Sequence, residues 1–319
     1  MSLLILLRKR LQRKSSTEEK VAGLSGCKDE SSKEDVKVDT PSLRQRWLGA
    51  KLAELRLQAG IPSLAVAAEK CKRSTGSLSR IENGLVGIPP RDIPPILDAY
   101  EIADPAVREK LMVVAAEIQH ERRGWWVEHS DALAPSYVDL IRLEAAATEI
   151  RTYETYLIPG LLQTEAYARV FVAAMRGLSS ETELDEFVAV RMARKAVLTR
   201  DEPVVLRALI SEAALRHPIG GAKTFKEQLG HLRRCATLPT VTVQVLPFMD
   251  RPHPGMSGAF TLLNLPQLTV AHIEAMNTDM YIEDEHGAMQ YLRAYERLCE
   301  LALTPEETDS FLEKLANTL

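Results

Sequence analysis

The stretch Ser74-Thr75-Gly76-Ser77-Leu78-Ser79-Arg80-Ile81-Glu82-Asn83-Gly84 has room for a short helix, with a stop at each end. Ser74 can cap the amino end by accepting from an orphan N–H of the first turn. Gly84 stands where a left-handed residue ends a helix, and Asn83 before it tolerates the same turn. Leu78 and Ile81, three apart, share one side. At roughly 100° per residue, Gly76, Ser79, Arg80 and Asn83 fall on the other, with Thr75 at its edge. One side is therefore apolar. The other has little bulk at its start and carries an arginine and short polar groups. A helix lying in a major groove needs those properties, and a capped surface helix of a bundle shows them too.

The flanking residues choose between these readings. Leu43, Trp47, Leu48, Leu52 and Leu55 describe an amphipathic helix stopped at Gly60. Ser63 then caps Leu64-Ala65-Val66-Ala67-Ala68-Glu69, whose alanines let another helix cross closely. Lys70, Lys72 and Arg73 make a basic turn into the helix capped by Ser74. Ile93 to Tyr100 and Val107 to Ile118 read as a fourth and a fifth helix. Five short helices in about 80 residues make one all-α domain.

Charge follows the same division. The net charge of −4 hides 8 Lys+Arg against 3 Asp+Glu in residues 42–90 and 23 against 34 in residues 91–319. A basic module on an acidic body suits nucleic-acid contact. Four scattered cysteines (Cys27, Cys71, Cys235, Cys299) form no C-x-x-C pair, so reduced thiols in the cytoplasm are expected. Residues 15–41 are rich in Ser, Lys, Glu and Asp and lack apolar periodicity, and a disordered tail is expected over 1–41. Within it Leu3 to Leu7 is too short to span a membrane, and Arg8-Lys9-Arg10 follows it where a signal peptide would have its charge first. A weak membrane or DNA contact by Met1–Lys14 stays open.

Leu52, Leu55, Arg56, Ala59 and Gly60, then Ser74 and the run Leu78 to Gly84, resemble the lambda-repressor-like (XRE-type) helix-turn-helix domain. The resemblance implies base reading by Thr75, Gly76 and Arg80, with Ser77 beside the groove and Asn83 near a phosphate. It also implies a phosphate grip by Ser63 at the start of helix two. The chain departs from the pattern in three places. Leu64 replaces a frequent Gln, Lys72-Arg73 replaces a Gly and an apolar residue in the turn, and there is an extra residue around Ile61-Pro62. Lys72 and Arg73 can restore phosphate contact by charge. With Gly76 offering no side chain, base preference leans on Arg80, whose fork matches guanine O6/N7.

Beyond Arg122-Arg123-Gly124-Trp125-Trp126-Val127-Glu128-His129-Ser130 the pattern mixes strands and helices without regular alternation, which predicts an α+β domain. Helices are expected over Tyr137–Ile150, Leu184–Thr199, Phe225–Cys235, Glu285–Leu303 and Pro305–Asn317, and one is expected to follow Leu161 to Glu165. Strands are expected over Ile150–Ile158, Val204–Ile210, Val241–Leu246, Gly258–Leu265, Leu268–Glu274 and Met280–Glu283. Several segments are similar to the C-terminal part of a group of actinobacterial XRE-type regulators described as antitoxin-like. They are Gly124-Trp125-Trp126, Ile150-Arg151-Thr152-Tyr153-Glu154, Ile158 to Ala168, Arg191-Met192-Ala193-Arg194, Glu212 to Arg216, Val241 to Pro247 and Pro254 to Phe260. That resemblance implies a DNA-binding regulator encoded beside a small acidic partner protein that engages the C-terminal domain.

Catalytic and metal patterns are missing. Gly255-Met256-Ser257-Gly258 lacks the spacing of a nucleophile elbow, the seven histidines show no H-x-x-x-H or H-E-x-x-H, and there is no phosphate-cradling glycine loop. Glu283-Asp284-Glu285-His286 could hold a cation, but it reads more simply as a solvated turn before a helix. Trp125 and Trp126 read as core aromatics at a domain seam or as a ligand platform. Arg151, Tyr153, Glu154 and Gln163 read as fold-stabilising residues or as the lining of a ligand or partner groove. The whole is expected to be α+β: a tail over 1–41, a five-helix DNA-binding domain over 42–121 and an α+β regulatory or partner-binding domain over 122–319. The expected protein is not an enzyme and takes no cofactor or metal. It works as a cytoplasmic, nucleoid-associated homodimer on double-stranded DNA, because two half-sites supply the affinity that one small domain lacks.

Overall fold

The computed structural model describes residues 41–121, 124–129, 133–176, 180–275 and 279–319. The expectation of a disordered tail therefore lies, apart from Pro41, outside the described residues, as do Arg122, Arg123 and Ser130. The chain is α+β, and its described part divides into two compact units after Arg142.

In the first unit, α1 (Leu43–Gln58) is capped by Ser42, whose hydroxyl accepts from Gln45 N. It ends at Gly60, where φ is +71°. There Gly60 N donates to Leu57 O and Ile61 N to Arg56 O, the paired bonds of a Schellman stop. α2 (Leu64–Lys70) and α3 (Thr75–Glu82) follow, capped by Ser63 and Ser74. A 3-10 turn at Pro90–Asp92 leads into α4 (Ile93–Ala99), and α5 (Pro105–Glu121) completes the five expected helices. Leu52, Leu78, Ile93, Ile96 and Leu97 are fully buried at their centre. Ala67 and Ala68 are the buried residues of α2, so α3 crosses it over methyl groups.

Gly49 brings α1 equally close to α3. A Cβ there would stand 2.4 Å from Ile81 O and 2.8 Å from Gly84 N, so any larger residue pushes the two backbones apart. Polar bonds tie the same elements. Arg56 on α1 donates through Nε and Nη2 to the Glu82 carboxylate on α3, at 2.9 to 3.1 Å. Its Nη1 donates to the carbonyls of Ile61 and Pro62, which fixes the extra residue before α2. Tyr100, just past α4, donates its hydroxyl to Glu82 Oε1 at 3.0 Å. Burial and the Glu82 charge together push the Tyr100 phenol far above its ordinary value.

α6 (Pro135–Ala146) runs through the division between the units. The second unit is built on a six-stranded sheet in the order β3-β2-β1-β4-β5-β6. Its strands are β1 (Glu149–Glu154), β2 (Val205–Ser211), β3 (Val241–Leu246), β4 (Phe260–Leu265), β5 (Leu268–Glu274) and β6 (Asp279–Ile282). β1, β2 and β3 are parallel; β4, β5 and β6 continue antiparallel from β1. The helices are α7 (Glu165–Arg176), α8 (Glu181–Ala193), α9 (Glu212–Leu215), α10 (Gly221–Cys235), α11 (Glu285–Cys299) and α12 (Pro305–Asn317). Tyr153, Leu209, Phe260 and Leu262 pack on Tyr295 and Leu298 of α11, while Ile150, Ala208, Ile210 and Val270 are buried on the opposite face.

Several expected boundaries move, among them the strand expected over Ile150–Ile158, which runs only from Glu149 to Glu154. The helix expected over Tyr137–Ile150 stops at Ala146, because Thr148 turns to bond Asn264 and Ile150 joins the sheet opposite Leu263. The helix expected to Thr199 becomes a 3-10 turn from Arg194, and the one expected to Leu303 stops at Cys299. Leu303 N bonds Val245 O at the end of β3, so the sheet takes the carboxyl-terminal turn away from the helix.

The side chains of Arg56 and Glu82 are only 10% and 6% exposed, so removing one leaves the other charged and unpaired inside the core. Glu82→Ala is expected to cost the first unit about 3–5 kcal/mol in urea denaturation, whereas Glu54→Ala, at a pair exposed to 35% and 50%, should stay within about 0.5 kcal/mol.

Candidate nucleic-acid interface

α3 closes at both ends in the way its sequence asks. Ser74 Oγ accepts from Ser77 N at 3.1 Å. Gly84 N donates to Ile81 O and Leu85 N to Arg80 O, at 2.9 and 2.8 Å, with Gly84 at φ +65°. The Asn83 amide folds back onto Ser79 O at 2.7 Å. Leu78, Ile81 and Glu82 point inward. Thr75, Gly76, Arg80 and Asn83 are exposed, and Ser77 and Ser79 are half-buried. Nothing lies within 4 Å of the point where a Gly76 Cβ would be, so at that place the helix presents bare backbone. The structure thus brings Thr75, Gly76, Arg80 and Asn83 onto one open face, with Arg80 meeting no partner among the described residues. A free guanidinium on a low-bulk face can approach phosphate oxygens or a guanine edge.

The residues around α3 divide by how free they are. Ser63 is exposed and uses its hydroxyl on Val66 N. Lys72 is exposed. Arg73 is half-buried, its guanidinium held 2.8 Å from Asp92. The backbone explains why glycine is common at this turn. Lys72 N bonds Glu69 O, Arg73 N bonds Ala68 O, and Lys72 stands at φ +53°, completing a Schellman stop with a side chain in the left-handed region. The chain accepts that strain and gains an ammonium at the corner between α2 and α3.

Trp125 and Trp126 lie in a 3-10 turn with rings edge to face, 6.0 Å apart. Trp126 is buried against Gly124, and its indole N–H meets no acceptor among the described residues. In the second unit, strand alternation separates three of the four candidates, and the fourth, Gln163, lies in the turn between β1 and α7. Arg151 and Tyr153 share one sheet face. Arg151 donates two hydrogen bonds to the Glu149 carboxylate, which also accepts from Arg207 and Asn264. Burial raises the Glu149 carboxyl, but Arg151 and Arg207 outweigh it and hold it below its usual range. Tyr153 is buried against the Gly255 backbone, and burial pushes its phenol up to about 12.

Glu154 faces the other way. Burial, with the Glu274 charge beside it, pushes its carboxyl up to about 8, against the pull of Arg191. Gln163 is fully buried and bonded at every group: Nε2 to Ile158 O, Oε1 from Arg191 Nε, and its carbonyl from Lys195 Nζ. Gln228, also fully buried, bonds Thr164 N and Leu162 O. Residues 158–164 are therefore held by side chains from α8, α10 and the 3-10 turn after α8.

Sequence reasoning missed a further cluster. His231 Nε2 lies 3.2 Å from Lys195 Nζ and 3.4 Å from Cys235 Sγ. Burial, then the Lys195 charge, lowers the imidazole to about 4, while burial pushes the thiol up. A protonated thiol beside a neutral imidazole is the reverse of an activated nucleophile. The His–Cys spacing of four on α10 was visible; Lys195 comes from 36 residues away. Among the described residues no group of His, Cys, Asp or Glu could hold a metal ion, and no helix is long and apolar enough to cross a membrane.

Residues 47–111 match the family described as a helix-turn-helix domain, and residues 137–314, more than half of the chain, match the domain of unknown function DUF5753. No curated protein and no solved structure matches the chain.

Lys72→Gly should relieve the left-handed strain and stabilise the first unit by about 1 kcal/mol in thermal denaturation. The same change removes a positive charge at that corner, and on the reading that Lys72 meets a phosphate it should lower the salt slope of DNA binding by about 1. Glu154 binds its proton more tightly in the folded chain, because its carboxyl stands at about 8 against 4.5 for an unperturbed one. Stability is then greatest below pH 4.5 as far as this group is concerned, and falls as pH rises towards 8. Denaturation of Glu154→Gln should show about 1–3 kcal/mol of extra stability above pH 8, vanishing near pH 4, since water reaches the half-buried group and limits the gain.

Proposed function

The chain belongs to the family described as a domain of unknown function (DUF5753), with a helix-turn-helix domain ahead of it, and on that premise we propose a sequence-specific transcriptional regulator of the XRE type. Residues 42–121 bind double-stranded DNA and residues 122–319 receive a partner protein or a ligand. The observation that carries the reading is Arg80, exposed and unpaired among the described residues, on the open face of a helix capped at both ends. Thr75 and Gly76 admit close approach to base edges. Ser63, Lys72, Arg73, Ser74, Ser77 and Asn83 serve the backbone contacts around it. Arg73 reaches a phosphate by giving up Asp92. The protein works as a cytoplasmic homodimer on two half-sites and catalyses no reaction.

A second reading has its own observation. Tyr156, Phe248 and Met256 are 72%, 66% and 66% exposed. They follow β1, follow β3 and precede β4, so all three stand at the edge where the parallel strands end. Large apolar groups left at one edge suit a protein partner. In this reading the chain is an antitoxin-like module of the actinobacterial kind. It chiefly binds a small acidic protein encoded nearby, and DNA contact serves autoregulation.

A mobility shift on the chain's own upstream DNA, with and without the neighbouring reading frame's product, separates the two. A shift altered only by that product favours the second; a shift that needs no partner favours the first. Arg80→Ala should weaken the specific complex by about 1–3 kcal/mol and relax base preference. An equal loss on every DNA sequence would make Arg80 a phosphate contact, and no shift at low salt by the folded protein would sink DNA binding altogether.

A further inference from the structure

Asp139 lies outside the residues that match the helix-turn-helix domain, on α6, yet its carboxylate is built into the first unit. Its side chain is 6% exposed. Oδ1 accepts from Leu43 N, the first amide of α1, at 3.3 Å and lies 3.4 Å from Arg142 Nη1; Oδ2 accepts from Arg46 Nη2 at 3.1 Å. The amino-terminal turn of α1 thus has two acceptors for its orphan donors, Ser42 for Gln45 N and Asp139 for Leu43 N. A carboxylate there also suits the positive end of the helix.

The same turn seats the end of α3. Gln45 Nε2 donates to Gly84 O at 2.9 Å, and both groups are buried. Gly84 lies so near Arg46 that a Cβ on it would stand 2.5 Å from Arg46 Cα and 3.0 Å from Gln45 O. Gly84 is the residue whose N–H and whose neighbour's N–H close the last turn of α3, one turn beyond Arg80. Leu43 to Arg46 is therefore gripped from one side by Asp139 and grips the stop of α3 on the other.

We propose that Asp139 is a positioning residue for the DNA-reading face: it holds the first turn of α1, and through Gln45 and Gly84 that turn holds the carboxyl end of α3 and Arg80. The proposal rests on the DNA-binding reading for its consequence, but its geometry can be tested without DNA. Residues 137–142 fall within the sequence span of DUF5753 and within the first structural unit. Asp139 is thus where residues of the C-terminal family support the helix-turn-helix.

The test uses the full chain carrying Asp139→Ala or Asp139→Asn. Asp139→Ala should lower affinity for the upstream DNA about tenfold while leaving affinity for random duplex within about twofold, because the basic surface persists and only its register is lost. Asp139→Asn keeps an acceptor for Leu43 N and should recover part of the loss, to about threefold. Amide hydrogen exchange, measured without DNA, should rise in Asp139→Ala at Leu43–Arg46 and Gly84–Val86 while the buried core around Leu52 and Leu97 stays protected. Equal loss on specific and random DNA, an unchanged specific affinity, or exchange that rises only in α6 would overturn the proposal. If the unmodified protein shifts no DNA, the functional reading fails, and the exchange pattern alone decides whether Asp139 positions α3.

Discussion

Arg56 and Glu82 carry the arrangement of the first unit. A buried ion pair between two helices is a weak source of net stability, since both charges lose their water. Its value here is geometric. The guanidinium spends its donors on one carboxylate and two carbonyls, and the carboxylate also takes the Tyr100 hydroxyl. The elements joined are α1, the entry to α2, the last residue of α3 and the end of α4. Shifting α3 along or around its axis would strand a charge, so one register is allowed. Gly49 enforces the same register sterically, because the α1 and α3 backbones touch there. The outer face of α3 inherits its precision from groups on its inner one.

The second unit uses the same device. Glu144 on α6 takes two bonds from Arg194, and the two side chains are 5% and 6% exposed. Gln163 and Gln228 satisfy the carbonyls and amides of the turn between β1 and α7, where no ladder or helix could serve them. Gln163 looks like a candidate ligand group in the sequence because it is polar in an apolar neighbourhood. The structure assigns it, like Gln228, to holding the backbone. A buried amide with four satisfied groups is a strut, and it becomes a binding group only if something displaces its partners.

Much of the first unit was legible because its signals are local. Ser63 and Ser74 cap helices from the position just before each helix, and Gly60 and Gly84 stop helices at positive φ. The split of α3 into Leu78 and Ile81 against Thr75, Gly76 and Arg80 follows from helical periodicity alone. Val241–Leu246 and Pro305–Asn317 were legible to the residue, the first from strict alternation and the second from its capping box. The illegible parts depend on partners far away in sequence. The end of α6 at Ala146 is set by Asn264, and the freedom of Arg73 is removed by Asp92.

The sequence by itself determined where α1, α2 and α3 start and stop, that the basic charge gathers around α2 and α3, and that the remaining residues form a mixed α+β unit. Each of these follows from short-range chemistry: a cap, a glycine, a period, a count of charges. Only the tertiary structure decided which polar groups are free to act. Arg80 and Arg73 are seven residues apart and equally basic, yet one is unpaired among the described residues and the other is engaged by Asp92. Arg151, Tyr153 and Glu154 are near neighbours in sequence, yet strand alternation sends the first two to one face and the third to the other. Asp139, nearly a hundred residues from Leu43, becomes an acceptor for its amide. Pairing depends on distance in space, and buried charges and amides choose whichever partner the fold brings within 3 Å, which no local pattern records.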